Sequence, residues 1–331
     1  MRKLFTFLIL AGSLVGGAYF ALLNGIIKIE GLDEIGATWG SAAGEADSSG
    51  FSAPPVQHNG DSIRVASFNI QVFGESKSNK PHVMDILARI VRRFDIVAVQ
   101  EVRAKDQSIV PQFVDLINQT GRQYDWAISP RIGRTVSKEQ YVYIFDRASV
   151  EIDRNSLYVV DDPDDLLHRE PYVASFRVRG PPSDQAFTFT LVNIHTDPDE
   201  TKQELDVLDD VFRAVRNDGR GEDDVIILGD LNVDDEHLGE LGRLAGVHWV
   251  ISHTPTNVLQ TAQYDNLVFQ SASTREFTGR GGVFDFMREY NLTSEQAAEV
   301  SDHLPVWAEF HLYEGGQPGR VAELPRGSNL N

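Results

Sequence analysis

The 331-residue chain contains no cysteine. That absence excludes disulfides, thiolate metal sites, a cysteine nucleophile and lipid attachment through cysteine, although it does not name a compartment. Positive charge is also scarce: 30 Lys and Arg stand against 49 Asp and Glu, for a net charge of −19. This argues against a protein that grips nucleic acid by a broad basic surface, because such affinity rests on Lys and Arg neutralising phosphates. A catalytic site that touches only a few phosphates is still compatible with the charge, since bound cations offset local carboxylates. No internal repeat of 20–50 residues is present. What the chain does have is apolar material: 41% hydrophobic residues against 24% charged, enough to bury a sizeable core.

Long apolar runs are absent after the N-terminus. There, Arg2 and Lys3 precede an almost unbroken apolar stretch from Leu4 to Leu23, long enough to span a bilayer and lacking a polar face. Residues 1–23 therefore read as a signal peptide or an uncleaved signal-anchor helix, and the positive flank places the rest of the chain outside the cytoplasm, secreted or membrane-anchored. Residues 24–60, rich in Gly, Ala, Ser and acids, read as a flexible linker. Residues 61–312 carry the alternating apolar pattern of a folded region, and 313–331, with Gly315-Gly316 and Pro318, read as a disordered tail.

Within that region the periodicity predicts strands at Ile63–Ile70, Ile96–Val99, Tyr141–Phe145, Tyr172–Val178, Phe187–Ile194, Val225–Leu228, Leu267–Phe269 and Val306–Phe310. Helical spacing links Val83, Ile86, Leu87, Ile90, Val91 and Phe94 behind Pro81; a second helix runs through Phe113, Val114, Leu116 and Ile117 to a stop at Gly121. Leu205, Leu208, Phe212 and Val215 mark one long helix. Strands that adjoin without intervening helices suggest packed sheets covered by helices.

Several of these strands end in acids, amides or histidines. Ile96–Val99 runs into Gln100-Glu101, Val225–Leu228 into Gly229-Asp230-Leu231-Asn232, and Phe187–Ile194 into His195. Phe68-Asn69 closes the first strand, Ser301-Asp302-His303 precedes Val306, and Tyr264-Asp265-Asn266 precedes Leu267. Singly, each is ordinarily a solvated cap or turn residue. Together they form a set suited to metal-assisted phosphoryl transfer: carboxylate and amide oxygens suit Mg²⁺ or Mn²⁺, and a pair of histidines can exchange protons with water and a leaving oxygen.

The ordered motifs Ser67-Phe68-Asn69-Ile70, Gln100-Glu101, Asn193-Ile194-His195, Gly229-Asp230-Leu231-Asn232, Tyr264-Asp265 and Ser301-Asp302-His303-Leu304-Pro305 resemble those of the endonuclease/exonuclease/phosphatase superfamily. The stretches Phe68–Glu75, Asp95–Arg103, His168-Arg169-Glu170-Pro171 and Phe284-Asp285-Phe286 resemble its deoxyribonuclease I branch. The resemblance implies an α/β fold, a four-layer α/β/β/α sandwich of two packed mixed sheets flanked by helices, over about residues 62–312. It further implies that Glu101 and Asp302 bind a divalent cation with Asn69 close by. By the same resemblance, Asp230 and Asn232 would hold a second cation or the scissile phosphate, and His195 and His303 would form the acid/base pair, oriented by Glu139 and Asp265. Arg169 would contact phosphate, and Arg103 would reach the DNA minor groove.

Three departures from the family pattern stand out. Ser137 lies where close relatives place an aromatic that packs on the DNA sugar. The missing cysteines remove a disulfide that would join the regions near Asp235 and Gln263. The loop before Arg169 is short, though Asp162, Asp165 and Glu170 offer a structural Ca²⁺ site; the loop Thr254–Thr261 lacks the acids for another. The expectation is a monomeric, metal-dependent endonuclease that hydrolyses double-stranded DNA and leaves 5′-phosphate ends, with possible membrane attachment through the N-terminal helix. Two alternatives are a phosphodiesterase or phosphatase of the same superfamily acting on lipids, inositol phosphates or nucleotides, and a non-catalytic binding module on the same fold.

Overall fold

A computed structural model describes residues 60–134 and 138–316. The signal or anchor segment, the linker up to residue 59, Ser137 and residues 317–331 lie outside the described residues. Among the described residues twelve strands form two six-stranded sheets. In chain order they are β1 (Ser62–Phe73), β2 (Ile96–Val102), β3 (Tyr124–Ile128), β4 (Gln140–Asp146), β5 (Val150–Val159) and β6 (Tyr172–Val178). They continue as β7 (Thr188–His195), β8 (Val225–Asp230), β9 (Val247–Trp249), β10 (Asp265–Gln270), β11 (Phe277–Val283) and β12 (Val306–His311). The first sheet runs β11-β12-β1-β2-β4-β3 and the second β5-β6-β7-β8-β10-β9. Both are mixed: β1–β2 and β7–β8 pair in parallel, and the other neighbours are antiparallel.

The near-continuous apolar runs have a direct cause. Side chains alternate across a strand, and here both faces of the central strands are buried. Ile63 and Val65 of β1, Ile96 and Ala98 of β2, Phe189 and Leu191 of β7, and Ile226 and Leu228 of β8 share the core between the sheets. The intervening residues face outward under helices: Phe68, Ile70, Val97 and Val99 on one side, Val192, Ile194, Val225 and Ile227 on the other. The first outer layer includes α1 (Glu75–Ser78), α2 (Pro81–Val91) and α3 (Ile109–Asn118); α2 starts on Pro81 and buries Val83, Leu87, Ile90 and Val91. The second includes α4 (Thr201–Leu205) and α5 (Leu208–Arg216). Two short helices, α6 (Phe286–Glu289) and α7 (Ser294–Val300), lead into β12, α7 with a Thr293/Gln296 capping box. The four-layer α/β/β/α sandwich expected from the resemblance is the observed architecture.

One element differs. The single helix expected through Leu205 and Val215 is two, α4 and α5. The Val207 N–H closes on Glu204 O at 3.1 Å, an i→i+3 bond that tightens the chain and lets both Leu205 and Leu208 reach the core. Ordered pairing also continues past residue 312, where Tyr313 bridges Ala186 and the Glu314 N–H donates to Gln185 O. No described helix is long and apolar enough to cross a membrane.

Candidate active site

Strand register assembles the site. In the second sheet His195 is paired with Asp230, and Asp230 with Asp265, so three polar residues lie side by side across β7, β8 and β10. The parallel β7–β8 pair is close: a Cβ at Gly229 would stand 1.9 Å from Ile194 O. In the first sheet Asn69 is paired with Gln100, and the register then shifts through a bulge in both β1 and β2. The bulge places Gln71, Val72 and Glu101 at positive φ, as is Asn232 beyond β8. Non-glycine residues in this region carry strain, and such strain gathers where a site must hold side chains against their preference.

The two sheets meet through buried side chains. Asn69 donates from Nδ2 to Asp230 Oδ2 at 3.0 Å and to Glu101 Oε1 at 3.3 Å, while its Oδ1 accepts from the Gln71 N–H. It thus ties the carboxylates of the two sheets together. Gln100 spans the same interface, donating to Asn193 Oδ1 at 2.7 Å and Ser67 Oγ at 3.0 Å, and Ser301 Oγ donates to Asn69 O. Ser67, Asn69, Gln100, Asn193, Asp230 and Ser301 are buried, and burial is tolerable because they satisfy one another.

Both histidines stand in this network. His195 Nδ1 meets Glu139 Oε1 at 2.8 Å and His303 Nδ1 meets Asp265 Oδ2 at 2.9 Å. With Nδ1 engaged, each ring turns Nε2 inward, and both Nε2 atoms lie 3.5 Å from the same oxygen, Asp230 Oδ2. Burial pulls the imidazolium of His303 down, but Asp265, Asp230 and Asp302 outweigh it and push its pKa up to about 10. His195 is raised as well, burial being overcome by Glu139 and Asp230 against the opposing charge of Arg169. Burial alone would raise Glu139; His195, Arg169 and Arg103 together hold it below the usual carboxylate range.

The other expected residues fall around this centre. Glu101 accepts from the Val72 N–H at 2.9 Å and pairs with Arg103 at 3.1 Å; Arg103 also approaches Glu139 at 3.8 Å and is partly exposed at the rim. Arg169 is nearly buried: it ion-pairs with Glu139, donates to His195 O at 2.9 Å and lies 3.9 Å from Asp197, so it braces His195 from behind. The exposed Asp302 places Oδ1 3.9 Å from His303 Nε2. The Asn232 N–H donates to Asp230 Oδ1 and its side chain to Thr196 O.

The donors fit a hard divalent cation. Asp230, Asp265 and His303 each offer a ligand atom within 4.8 Å of the others, and Asp265 Oδ1 is buried without a hydrogen bond. Glu101, Asp230, Asn232 and Asp302 add further oxygens of the kind that Mg²⁺ and Mn²⁺ prefer. The loop offered to structural Ca²⁺ is arranged otherwise. Asp165 pairs with Arg134 at 2.8 Å, and Asp162 Oδ2 accepts from the Leu167 N–H. Asp162, Asp165 and Glu170 are not among the described trios with ligand atoms within 4.8 Å of one another. The arginine supplies the positive charge there. Hydrogen bonds from Ser252 Oγ and the His253 N–H to Asp235, and from Gln263 to Ile251 O, hold the segments near Asp235 and Gln263 without a disulfide.

Tyr141, read from sequence only as a strand residue, and two residues not singled out there complete the site. Tyr141 Oη accepts from the His195 N–H at 2.8 Å. Lys77 donates to Ile70 O and Val300 O; burial brings its pKa down to about 8 against the pull of Asp302 and Glu101. Thr256 Oγ donates to Asp265 Oδ2 at 2.7 Å and accepts from the Tyr264 N–H at 2.9 Å. A Thr in a loop carries no signal for this; only the fold shows that its hydroxyl fixes the acid behind His303. Thr256→Val is expected to cost about 1–3 kcal/mol by stranding buried partners, read as a lower urea midpoint.

Comparison with known proteins agrees with this geometry. Residues 66–303 match the Endonuclease/Exonuclease/phosphatase family. Deoxyribonuclease gamma of Rattus norvegicus is 32% identical over 272 residues, covering 77% of this chain and 86% of that protein. Deoxyribonuclease-1-like 1 of Chlorocebus aethiops is 35% identical over 262 residues (76% and 85%), and that of Homo sapiens 33% over 269 residues (78% and 87%). Among solved structures, humanized D. rerio TDP2 superposes with a TM-score of 0.53 at 14% identity, over 76% of this chain and all of that one; at that identity the likeness speaks for the fold. With the matched segment running from β1 to His303, the chain belongs to the endonuclease/exonuclease/phosphatase family.

Proposed function

We propose that this protein is a divalent-cation-dependent endodeoxyribonuclease, exported from the cytoplasm, that acts as a monomer on double-stranded DNA and leaves 5′-phosphate ends. One observation carries the reading: two histidines, each backed by a carboxylate, aim Nε2 at one point beside Asp230. That is the arrangement an in-line displacement needs, with one group taking a proton from water as the other gives one to the departing 3′ oxygen. Glu139 and Asp265 hold the two rings in the tautomer that leaves Nε2 toward the substrate. Asp230 and Asn69 define the space between them. Glu101 and Asp302, with Asp230 and Asn232, would hold the cation, which when bound stabilises negative charge on the phosphoryl oxygens. Arg103, at the rim, would meet the DNA backbone or minor groove, whereas Arg169, expected to contact phosphate, is turned inward to Glu139 and the His195 carbonyl and positions the His195 arm instead. The choice of DNA rests on the relatives, which are named deoxyribonucleases.

The deciding assay is cleavage of supercoiled plasmid with Mg²⁺ and Ca²⁺, followed by analysis of the product ends, with phosphoinositides and sphingomyelin as parallel substrates. Nicking that yields 5′-phosphates is expected, and EDTA is expected to abolish it. Hydrolysis of lipid but not DNA would sink the nuclease reading; binding without hydrolysis of any phosphoester would sink the enzymatic one. N-terminal sequencing of exported protein tests whether residues 1–23 are removed.

A further inference from the structure

A second acidic group lies at the other end of the sandwich. Asp224 leads into β8, whose far end is Asp230; six residues at about 3.3 Å each separate the two acids by about 20 Å. Glu276 leads into β11 of the first sheet, and Glu314 lies in the turn after β12. Oxygens of Asp224, Glu276 and Glu314 lie within 4.8 Å of one another, and Glu222 and Asp223 adjoin Asp224. Asp224 is 1% exposed and Glu276 0%. Asp224 is held by the Thr274 hydroxyl and by Glu314, yet its Oδ1, like Glu276 Oε2, is buried without a hydrogen bond of its own. Among the described residues, no Lys, Arg or His forms an ion pair with any of these five acids.

Buried carboxylates are ordinarily paired, protonated or bound to a metal. Here burial and the facing Glu276 push the Asp224 carboxyl up to about 8, against the pull of the Thr274 hydroxyl. The surrounding backbone is nonetheless built to keep the acids together. Glu276 Oε1 accepts from the Gly315 N–H, and Glu314 Oε2 accepts from the Thr188 N–H at 3.2 Å. Two strand ends of different sheets and the turn after β12 are thus gathered around one acidic cluster in which Asp224 Oδ1 and Glu276 Oε2 still lack a hydrogen bond.

We propose that Asp224, Glu276 and Glu314 bind a Ca²⁺ ion that joins the two sheets at the end of the sandwich opposite the active site. The donors are all hard oxygens, which excludes a preference for softer metals. Ca²⁺ accepts six to eight oxygens in irregular geometry, whereas Mg²⁺ demands a near-ideal octahedron. Glu314 is exposed, so water can complete the shell. This site is separate from the Asp162–Glu170 loop and does not depend on the nuclease reading.

The test uses the full chain, stripped with EDTA and dialysed. Calorimetric titration with Ca²⁺ is expected to show one more bound ion in the wild type than in Asp224→Asn/Glu276→Gln. Glu314→Gln, at an exposed position that does not threaten folding, is expected to bind that ion on the order of tenfold more weakly. In thermal unfolding without Ca²⁺, Glu314→Gln should be at least as stable as the wild type, because a like charge is gone; with Ca²⁺ the wild type should gain more. The proposal is overturned if Glu314→Gln binds Ca²⁺ with wild-type stoichiometry and affinity. It is equally overturned if that variant is destabilised by the same amount with and without Ca²⁺, which would leave Glu314 only its hydrogen bond to Thr188.

Discussion

His303→Ala is expected to lower plasmid-cleavage turnover by on the order of 10²-fold or more, and His195→Ala by a similar factor. The two rings are near-equivalents: each has its Nδ1 on a fully buried carboxylate and its Nε2 3.5 Å from Asp230 Oδ2. Removing either leaves one half of a proton exchange without its group. Because both serve one displacement, the double variant should be little worse than the poorer single variant, since groups that act as a unit do not add. Each substitution also strands a buried acid, Glu139 or Asp265, so circular dichroism and urea melts must accompany the kinetics. Wild-type turnover in either variant removes that histidine from the mechanism.

Gly229→Ala is expected to be the most damaging small substitution for the fold, costing on the order of 4 kcal/mol or more. The added Cβ would stand 1.9 Å from Ile194 O and 2.8 Å from both Ile194 C and Cγ1. The obstacle is backbone, and it belongs to the paired residue of the neighbouring parallel strand. Relief requires β7 and β8 to part where they carry His195 and Asp230, so activity should go with stability. Gly221→Ala is the control: its φ is +80° but nothing lies within 4 Å, and it should cost only about 1 kcal/mol of backbone strain. Urea unfolding of both variants checks the contrast; equal midpoints would remove the close β7–β8 approach from the account.

Much of the fold was legible in the chain. The eight strands read from apolar runs, β1, β2, β4, β6, β7, β8, β10 and β12, are the interior strands of the two sheets, and the four missed, β3, β5, β9 and β11, are the four edges. The reason is physical. An interior strand here is largely buried on both faces and reads as a mostly apolar run, as in Ile96–Val99 and Val225–Leu228. Edge strands carry polar residues, as in Val150–Val159 with Glu151, Asp153, Arg154 and Asn155, or glycines, as in Phe277–Val283 with Gly279, Gly281 and Gly282. Helix α7 did carry a capping-box signal in Thr293 and Gln296, but only Ala297 and Val300 are buried and its apolar face is too narrow to stand out.

The sequence by itself determined which residues stand at the strand ends and, through the family resemblance, which roles they were expected to take. The first reading, phosphodiester chemistry from a cysteine-free chain of net charge −19, needed only that order of acids, amides and histidines. Tertiary structure decided how they act on one another. Asn69 joins Asp230 across 161 residues and Ser301 holds Asn69 across 232. Thr256 and Tyr141 fix the two histidine arms, Arg169 turns inward to Glu139, and Arg134 pairs with Asp165, one of the three acids offered to calcium. Asp224, Glu276 and Glu314 belong to three separate segments, ordinary acids until two sheets close over them. Local pattern reports which residues are apolar and which are not; only the packing of one sheet on the other decides which polar groups must share a buried space.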